Sequence, residues 1–332
     1  MIFQWKNNYF FVFVLFISFF LFPGICYGGS KKTASYQPDI TPYLVLHHLP
    51  AGYDHPSMEY QGVFNDNHLF IHNKDNALLL FDKATMSLQR EISIPRGRND
   101  GELTRLNTVA SFDNMLWFAD SGNRISRFRL DGGSLNYQGV GYIPGMRQII
   151  RIFATSDYLY VFGVSQDNHF SLKQCAHQGT VLKEIRSFPP PVPGNILFST
   201  DISGNLMFAF QYESLLYRLT PKKLETFSLS QKIVPDKKSP TLQKNGMVYN
   251  IGQIGSYYFA TYWNTQNGGT LELFYASNHR LYALIRYPLG QGYYSDGSLY
   301  IYRHSFQDKK QKAFIVEVRL SSLVQPERKE KQ

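Results

Sequence analysis

Cysteine is nearly absent from this chain: there are two, Cys26 and Cys175. A thiol-based metal centre is therefore excluded, and so is a disulfide framework. Acidic residues are also few, 25 against 34 lysines and arginines. A hard-cation cage needs several carboxylates converging on one point, and the sequence has little material for it. Other signatures are missing too. There is no Gly-x-Ser-x-Gly nucleophile elbow and no phosphate-cradling glycine loop. His47 and His48 are adjacent on one strand, so they point to opposite faces and cannot share a metal. His68 and His72 are four apart, but in the apparent strand His68-Leu-Phe-Ile-His72 that spacing sets them about 13 Å apart, too far for one metal, and His304 has no partner spacing. After the first residues no segment keeps a helical period over more than a dozen positions.

What is present begins with an apolar N-terminus. Lys6 precedes the run Tyr9 to Phe22, broken only by Ser18, and Pro23-Gly24 ends it. Cys26-Tyr27-Gly28 then offers small residues for a cut after Gly28. This is the pattern of a secretory signal peptide over 1–28, and it predicts a secreted or periplasmic protein. An uncleaved membrane anchor is the alternative, the run being long for a signal and short for a span. A lipid on Cys26 ranks lower, because Ile25 occupies the position that usually holds a small residue. Cleavage removes one lysine and no acid, so the formal charge falls from +9 to +8. Such an excess suits an anionic ligand or a negatively charged envelope surface and does not single out nucleic acid. Cys175, in an apparent strand, is then a filler residue.

Internal repeats dominate the remainder. A turn followed by an apolar strand recurs at Asn67-His-Leu69, Asn114-Met-Leu116, Asp157-Tyr-Leu159, Gly204-Asn-Leu206, Gly255-Ser-Tyr257 and Gly297-Ser-Leu299. A strand closing on proline recurs at Pro50, Pro95, Pro144, Pro189, Pro235 and Pro288. Proline cannot donate to a strand ladder, so it belongs where a strand stops. Each unit holds about four short strands, as in Gln148 to Ala154, Tyr158 to Val164, His169 to Ala176 and Val181 to Phe188. Four antiparallel strands at this period predict an all-β, six-bladed β-propeller. The last unit lacks its fourth strand, while Tyr43 to Leu49 is a spare one at the start. The N-terminal strand is thus expected as the outer strand of the last blade, closing the ring. The expected organisation is a signal peptide at 1–28, a linker at 29–41, the propeller at 42–323 and a charged disordered tail at 324–332. Trp117, Tyr160, Phe208, Tyr258 and Tyr300 follow equivalent turns and are expected in the core.

One unit is better preserved than its siblings. Ala119-Asp-Ser-Gly-Asn-Arg124-Ile-Ser-Arg-Phe-Arg-Leu-Asp-Gly132 resembles an NHL repeat, and the upstream Gly97-Arg-Asn-Asp-Gly-Glu102-Leu resembles the glycine-rich segment of NHL-like six-bladed propellers. The likeness is to the NHL-like and TolB-like propeller families over about 35 residues. Elsewhere only the period persists, with Asn73-Lys-Asp-Asn76 and Gln211-Tyr-Glu-Ser214 in the equivalent loop. The resemblance implies the fold and the sixfold count. Within the motif, Asp120 is expected to accept bonds from its own loop, and Arg124 to pair with Asp120 or Asp131.

In such a ring, the loops between second and third strands and those between blades emerge on one face, where binding residues usually sit. Candidate ligand-binding residues are Arg96, Arg98, Arg105, Arg147, Trp263 and Arg303. Arginine matches carboxylates and phosphates with paired donors. His72, Asp120, Asn123, Asn264, His304, Lys237, Lys238, Lys244 and Lys309 share these loops. The leading expectation is a non-enzymatic binding or scaffolding protein without a cofactor, a monomer that recognises a protein or an anionic glycan, not nucleic acid, and meets the membrane only through its signal segment. The alternative is a metal-dependent, lactonase-like hydrolase or lyase holding Ca2+ in the central funnel. Its candidate ligands are Glu59, Asn107, Asp201, Asn250 and Asp296. Asp201 and Asp296 fall in turns of the opposite face, which leaves Glu59 as the single acid.

Overall fold

The computed structural model describes residues 44–48, 61–64, 68–72, 76–190, 194–230, 247–264, 268–287, 292–295, 297–307 and 310–324. The expected signal peptide, linker and most of the tail lie outside these residues. Strand β1 (Leu44–His48) comes first and joins the last sheet. Sheet 1 is β2 (Gln61–Phe64), β3 (His68–His72), β4 (Ala77–Asp82) and β5 (Leu88–Ser93). Sheet 2 is β6 (Thr108–Phe112), β7 (Met115–Ala119), β8 (Arg124–Asp131) and β9 (Ser134–Tyr142). Sheet 3 is β10 (Met146–Ala154), β11 (Leu159–Ser165), β12 (Phe170–Cys175) and β13 (Val181–Phe188). Sheet 4 is β14 (Ile196–Thr200), β15 (Leu206–Phe210), β16 (Leu215–Leu219) and β17 (Leu224–Ser228). Sheet 5 is β18 (Met247–Ile254), β19 (Tyr257–Asn264), β20 (Gly268–Tyr275) and β21 (Leu281–Tyr287). Sheet 6 runs β22 (Gly292–Ser295), β23 (Ser298–Gln307), β24 (Lys310–Arg319) and then β1. A single helical turn, α1 (Leu320–Leu323), follows.

Sheets 1 to 5 are four-stranded antiparallel meanders, sheet 6 is a three-stranded meander extended by β1, and each second strand begins at its predicted turn marker. The first strands touch one another in order from β2 to β22, and β22 also touches β2. Strand β1 pairs with β24 from Leu44 opposite Val318 to His48 opposite Phe314. Five of the six proline positions, Pro50, Pro95, Pro144, Pro189 and Pro288, stand one or two positions after a strand end. Strand β17 stops at Ser228, and Val234-Pro235 falls outside the described residues.

The core is divided into layers between successive sheets. Leu116 and Phe118 of β7 pack toward sheet 1 with Leu78, Leu80 and Val109. Their neighbours on the strand, Trp117 and Ala119, turn the other way, toward Ile149 and Ile152 of sheet 3. Period-two alternation sends side chains to both faces, and here both faces are covered. That is why second strands such as Leu206-Met-Phe-Ala-Phe210 read as unbroken apolar runs and are wholly buried. The five expected core rings are all buried. Burial of such a side chain contributes roughly 1.5–3 kcal/mol. Outer strands such as β5 and β13 alternate with exposed polar residues. Cys175 is fully buried in β12, and burial pushes its thiol up to about 11 against the opposing charge of Lys173.

Candidate functional site

Antiparallel meanders put the second-to-third-strand loops and the sheet-to-sheet connections at the same end. In sheets 1 to 3 this end is stitched together by buried polar side chains. Asp120, fully buried, follows β7 and accepts hydrogen bonds from the backbone N–H of Thr104 at 2.9 Å and of Arg105 at 2.8 Å. Ser121 N–H and Arg124 Nη1, at 2.5 and 3.2 Å, complete its shell. The Arg124 guanidinium is itself buried and also donates to the Asn99 carbonyl at 3.0 Å. Asp131 pairs with Arg129 instead. Asp120 therefore secures not only its own loop, as expected, but also the Thr104-Arg105 step of the connection between sheets 1 and 2.

The residues flanking Thr104 and Arg105 are held by Asn76, in the corresponding loop of sheet 1. Its side chain is completely buried, donates to the Leu103 carbonyl and accepts from Leu106 N–H, both at 2.8 Å. Its φ of +59° is left-handed, a conformation asparagine tolerates better than most residues. Glu102 closes the segment by accepting from Asn99 N–H at 3.0 Å. Asp120 and Asn76 thus hold residues 103–106 and Arg124 and Glu102 hold Asn99, so the connection forms a braced platform along which Arg96, Arg98 and Arg105 stand exposed. Among the described residues the side chains of Arg98 and Arg105 make no hydrogen bond or ion pair.

The platform continues into sheet 3. Ile149 N–H donates to the Gly122 carbonyl at 2.8 Å, and Asn123 and Ile143 exchange two further bonds. Arg147 is exposed, and its Nη1 donates to Asn168 Oδ1 at 2.5 Å. Arg147 was expected in a connecting loop; it is the second residue of β10. Trp263 and Arg303 also depart from expectation. They were placed in loops, but the strands run on past them: Trp263 pairs with Gly269 inside β19–β20, and Arg303 with Phe314 inside β23–β24. Asn264, His304 and His72 are strand residues for the same reason. Their side chains, and Lys237, Lys238, Lys244 and Lys309, lie outside the described residues. Arg96, Arg98 and Arg105 stand on the sheet 1–sheet 2 connection and Arg147 at the start of β10, at the same end of the sheets, while the other two candidates are in sheets 5 and 6.

The acids behave structurally. Asp201 lies between β14 and β15, in the turn of the opposite face, bound by Asn205, Ser203 N–H and Arg218 Nε at 2.7 Å. Burial would raise its pKa, but these donors outweigh it and hold the carboxyl below its usual range. Glu213 accepts from Tyr217 at 2.9 Å; burial pushes it up against the pull of that bond and of Arg186, whose guanidinium lies over the Phe188 and Tyr217 rings. Asn250 donates to Thr261, and Asn107 to the Asp120 carbonyl. Among the described residues no three or more His, Cys, Asp or Glu side chains gather as metal ligands; Glu59 and Asp296 are outside them.

No family profile and no curated protein matches this chain. Solved structures do resemble it. One is a protein of unknown function from Bacteroides caccae, 14% identical, covering 71% of this chain and 82% of the other with a TM-score of 0.46. A second is YCF48 bound to D1 peptide, at 12% identity, 83% and 82% coverage and a TM-score of 0.47. A third is the Cps50 (Swd1) β-propeller domain of Myceliophteria thermophila, at 12% identity, 80% and 98% coverage and a TM-score of 0.41. At such values the likeness carries no functional argument. The protein's own meanders and the order of its first strands define an all-β architecture of the propeller class.

Proposed function

We propose that this protein is an exported, six-bladed β-propeller of NHL-like or TolB-like type, whose ring is closed by β1 as the outer strand of the last blade. It works as a monomeric, cofactor-free binding scaffold that recognises a protein or an anionic glycan through its loop-rich face. The contact of β22 with β2 and the β1–β24 ladder support the closed ring. One observation carries the binding reading: Arg98 and Arg105 are exposed cations on a connection held rigid by buried Asp120 and Asn76. Holding the backbone in advance lowers the ordering cost of binding. The buried Asp120, Asn76 and Arg124 side chains shape the platform, and the guanidinium groups of Arg98 and Arg105 are left exposed.

The test is equilibrium binding of the secreted chain to two anionic probes, poly-glutamate and oligogalacturonate. Arg98→Ala/Arg105→Ala should weaken binding by about tenfold or more, with steep salt dependence. Equal binding by parent and variant at low salt would refute the platform. Export is checked by the mass of the mature protein, expected to start at Gly29.

A further inference from the structure

Among the described residues two lysine or arginine side chains are buried, Arg124 and Lys173. Arg124 has the Asp120 carboxylate at 3.2 Å. Lys173, on β12 and 8% exposed, has no carboxylate at such range, and its Nζ donates to a single acceptor, the Pro144 carbonyl at 2.9 Å. An ammonium carries three donors, so two are left over. Glu184 stands opposite Lys173 in the β12–β13 register, but it is exposed and forms no ion pair with it. A buried charge without its counter-charge is costly, and none of the described residues supplies one here.

Strand β12 pairs with β11 without a slip, so Ser171, Lys173 and Cys175 share one side. It is the side that Cys175 packs toward sheet 2. Ser171 is 1% exposed, and its Oγ has no hydrogen-bond partner. The way in lies at the sheet 2–sheet 3 connection. Ile143-Pro144-Gly145-Met146 is a turn closed by Met146 N–H on the Ile143 carbonyl at 3.3 Å, with Pro144 and Gly145 exposed. Gly145 has a φ of +72°, the left-handed value that a type II turn requires at this position, so most larger residues are disfavoured. Apart from its chain neighbours, the sole atom within 4 Å of where its Cβ would stand is Lys173 Nζ, at 3.1 Å. The missing side chain leaves a notch in an exposed turn, with an ammonium at its floor.

We propose that this notch receives the side-chain carboxylate of an acidic residue from a partner protein. The proposal rests on the binding reading above and narrows it to a protein ligand with one anchoring acid. A carboxylate oxygen that enters the space of the absent side chain meets the unfilled donors of Nζ in a charge-assisted hydrogen bond. Ser171 Oγ is a further donor on the same side of β12. Glutamate carries its carboxylate on a slender methylene stem, which suits so narrow an entry. A uronate carries its carboxylate directly on a sugar ring, which the Pro144-Gly145 turn would stop at the surface. Arg147, exposed two residues after Gly145, adds positive charge at the entrance.

The experiment uses the full chain and a labelled hexaglutamate peptide read by fluorescence anisotropy, with oligogalacturonate as competitor. Lys173→Met keeps an apolar stem and removes the charge. It should raise Kd by about tenfold or more with Tm unchanged or higher, because the desolvation cost of an unpaired charge goes with it. Gly145→Asn fills the notch in a backbone conformation that asparagine tolerates, and should weaken binding as much with Lys173 intact. Carbodiimide activation of the peptide should join it to Lys173 as an amide in the parent and not in Gly145→Asn. Melting curves confirm that each variant folds. Undiminished binding by either folded variant, no cross-link at Lys173, or tighter Lys173-dependent binding of oligogalacturonate than of the peptide overturns the proposal. If the loss follows Arg98→Gln/Arg105→Gln alone, the notch falls and the platform reading stands. No binding of either anionic probe removes both.

Discussion

Replacing Asp120 by alanine removes the acceptor of four donors at once: the amides of Thr104, Arg105 and Ser121, and the Arg124 guanidinium. The largest cost is the last. Arg124 is buried and would keep a single bond, to the Asn99 carbonyl. Removing one partner of a buried ion pair costs about 3–5 kcal/mol, because the surviving charge stays desolvated. The amides of Thr104 and Arg105 belong to exposed residues, so water regains them and their share adds little. A total of about 3–5 kcal/mol, with roughly 2 cal/mol/K of unfolding entropy per residue, lowers Tm by about 5–9 °C for a domain of this length. Asp120→Asn keeps one acceptor oxygen and should lie between. Thermal unfolding followed by circular dichroism reads the stability. Hydrogen exchange reads the mechanism: the Thr104 and Arg105 amides should lose protection, and those of β15 should not. A variant that melts within a degree or so of the parent, with those amides still protected, would refute the account of the platform.

Three further outcomes are expected. Glu272 is fully buried on β20; burial raises its pKa against bonds from Ser230 and Tyr262. With a folded value above the unfolded one of about 4.3, the protonated form favours folding. Its contribution is full below the unfolded value and is lost as pH rises through the folded one. Glu272→Gln should therefore flatten the stability-versus-pH curve above pH about 4, and a constant offset between the two curves would contradict this. Deleting residues 43–50 strips β1 from β24 and exposes that long edge; cooperative unfolding should vanish, and a truncated chain that melts like the parent would sink the closure. In the chain without residues 1–28, Cys175 should resist an aromatic disulfide reagent in the native state and react once after denaturation, because thiolate is scarce at a buried thiol.

Much of the fold was legible because its signals are local. Turn residues before an apolar run mark each second strand, and the runs are unbroken because neighbouring sheets cover both faces. Val234-Pro235 lies outside the described residues, beyond the end of β17 at Ser228. Arg303, His304 and Trp263 were read as loop residues because polar or bulky side chains at a strand end look like a connection; pairing that continues past them is set by the partner strand. Strand β10 bulges twice against β11, and the bulges did leave a trace. Met146, Ile149, Ile152 and Ala154 are apolar at spacings of three, three and two, where an undisturbed strand would keep two throughout. The Asp-Ser-Gly-Asn-Arg run drew attention for the right residues, yet the partners of Asp120 lie fifteen and sixteen positions upstream. Asn76, which performs the matching task, has no motif around it.

By itself, then, the sequence determined the all-β class, the repeating four-strand unit, the rings of the core and the arginine-rich connection. Each depends on residue type and short-range period, which a chain carries wherever it is read. The tertiary structure alone decided which loop braces which connection, that Arg124 is buried with Asp120, and that the Lys173 ammonium reaches the Pro144 carbonyl. Those outcomes depend on register and on groups supplied by neighbouring sheets, and hydrogen bonds acting over about 3 Å cannot be assigned until the fold has brought their partners together.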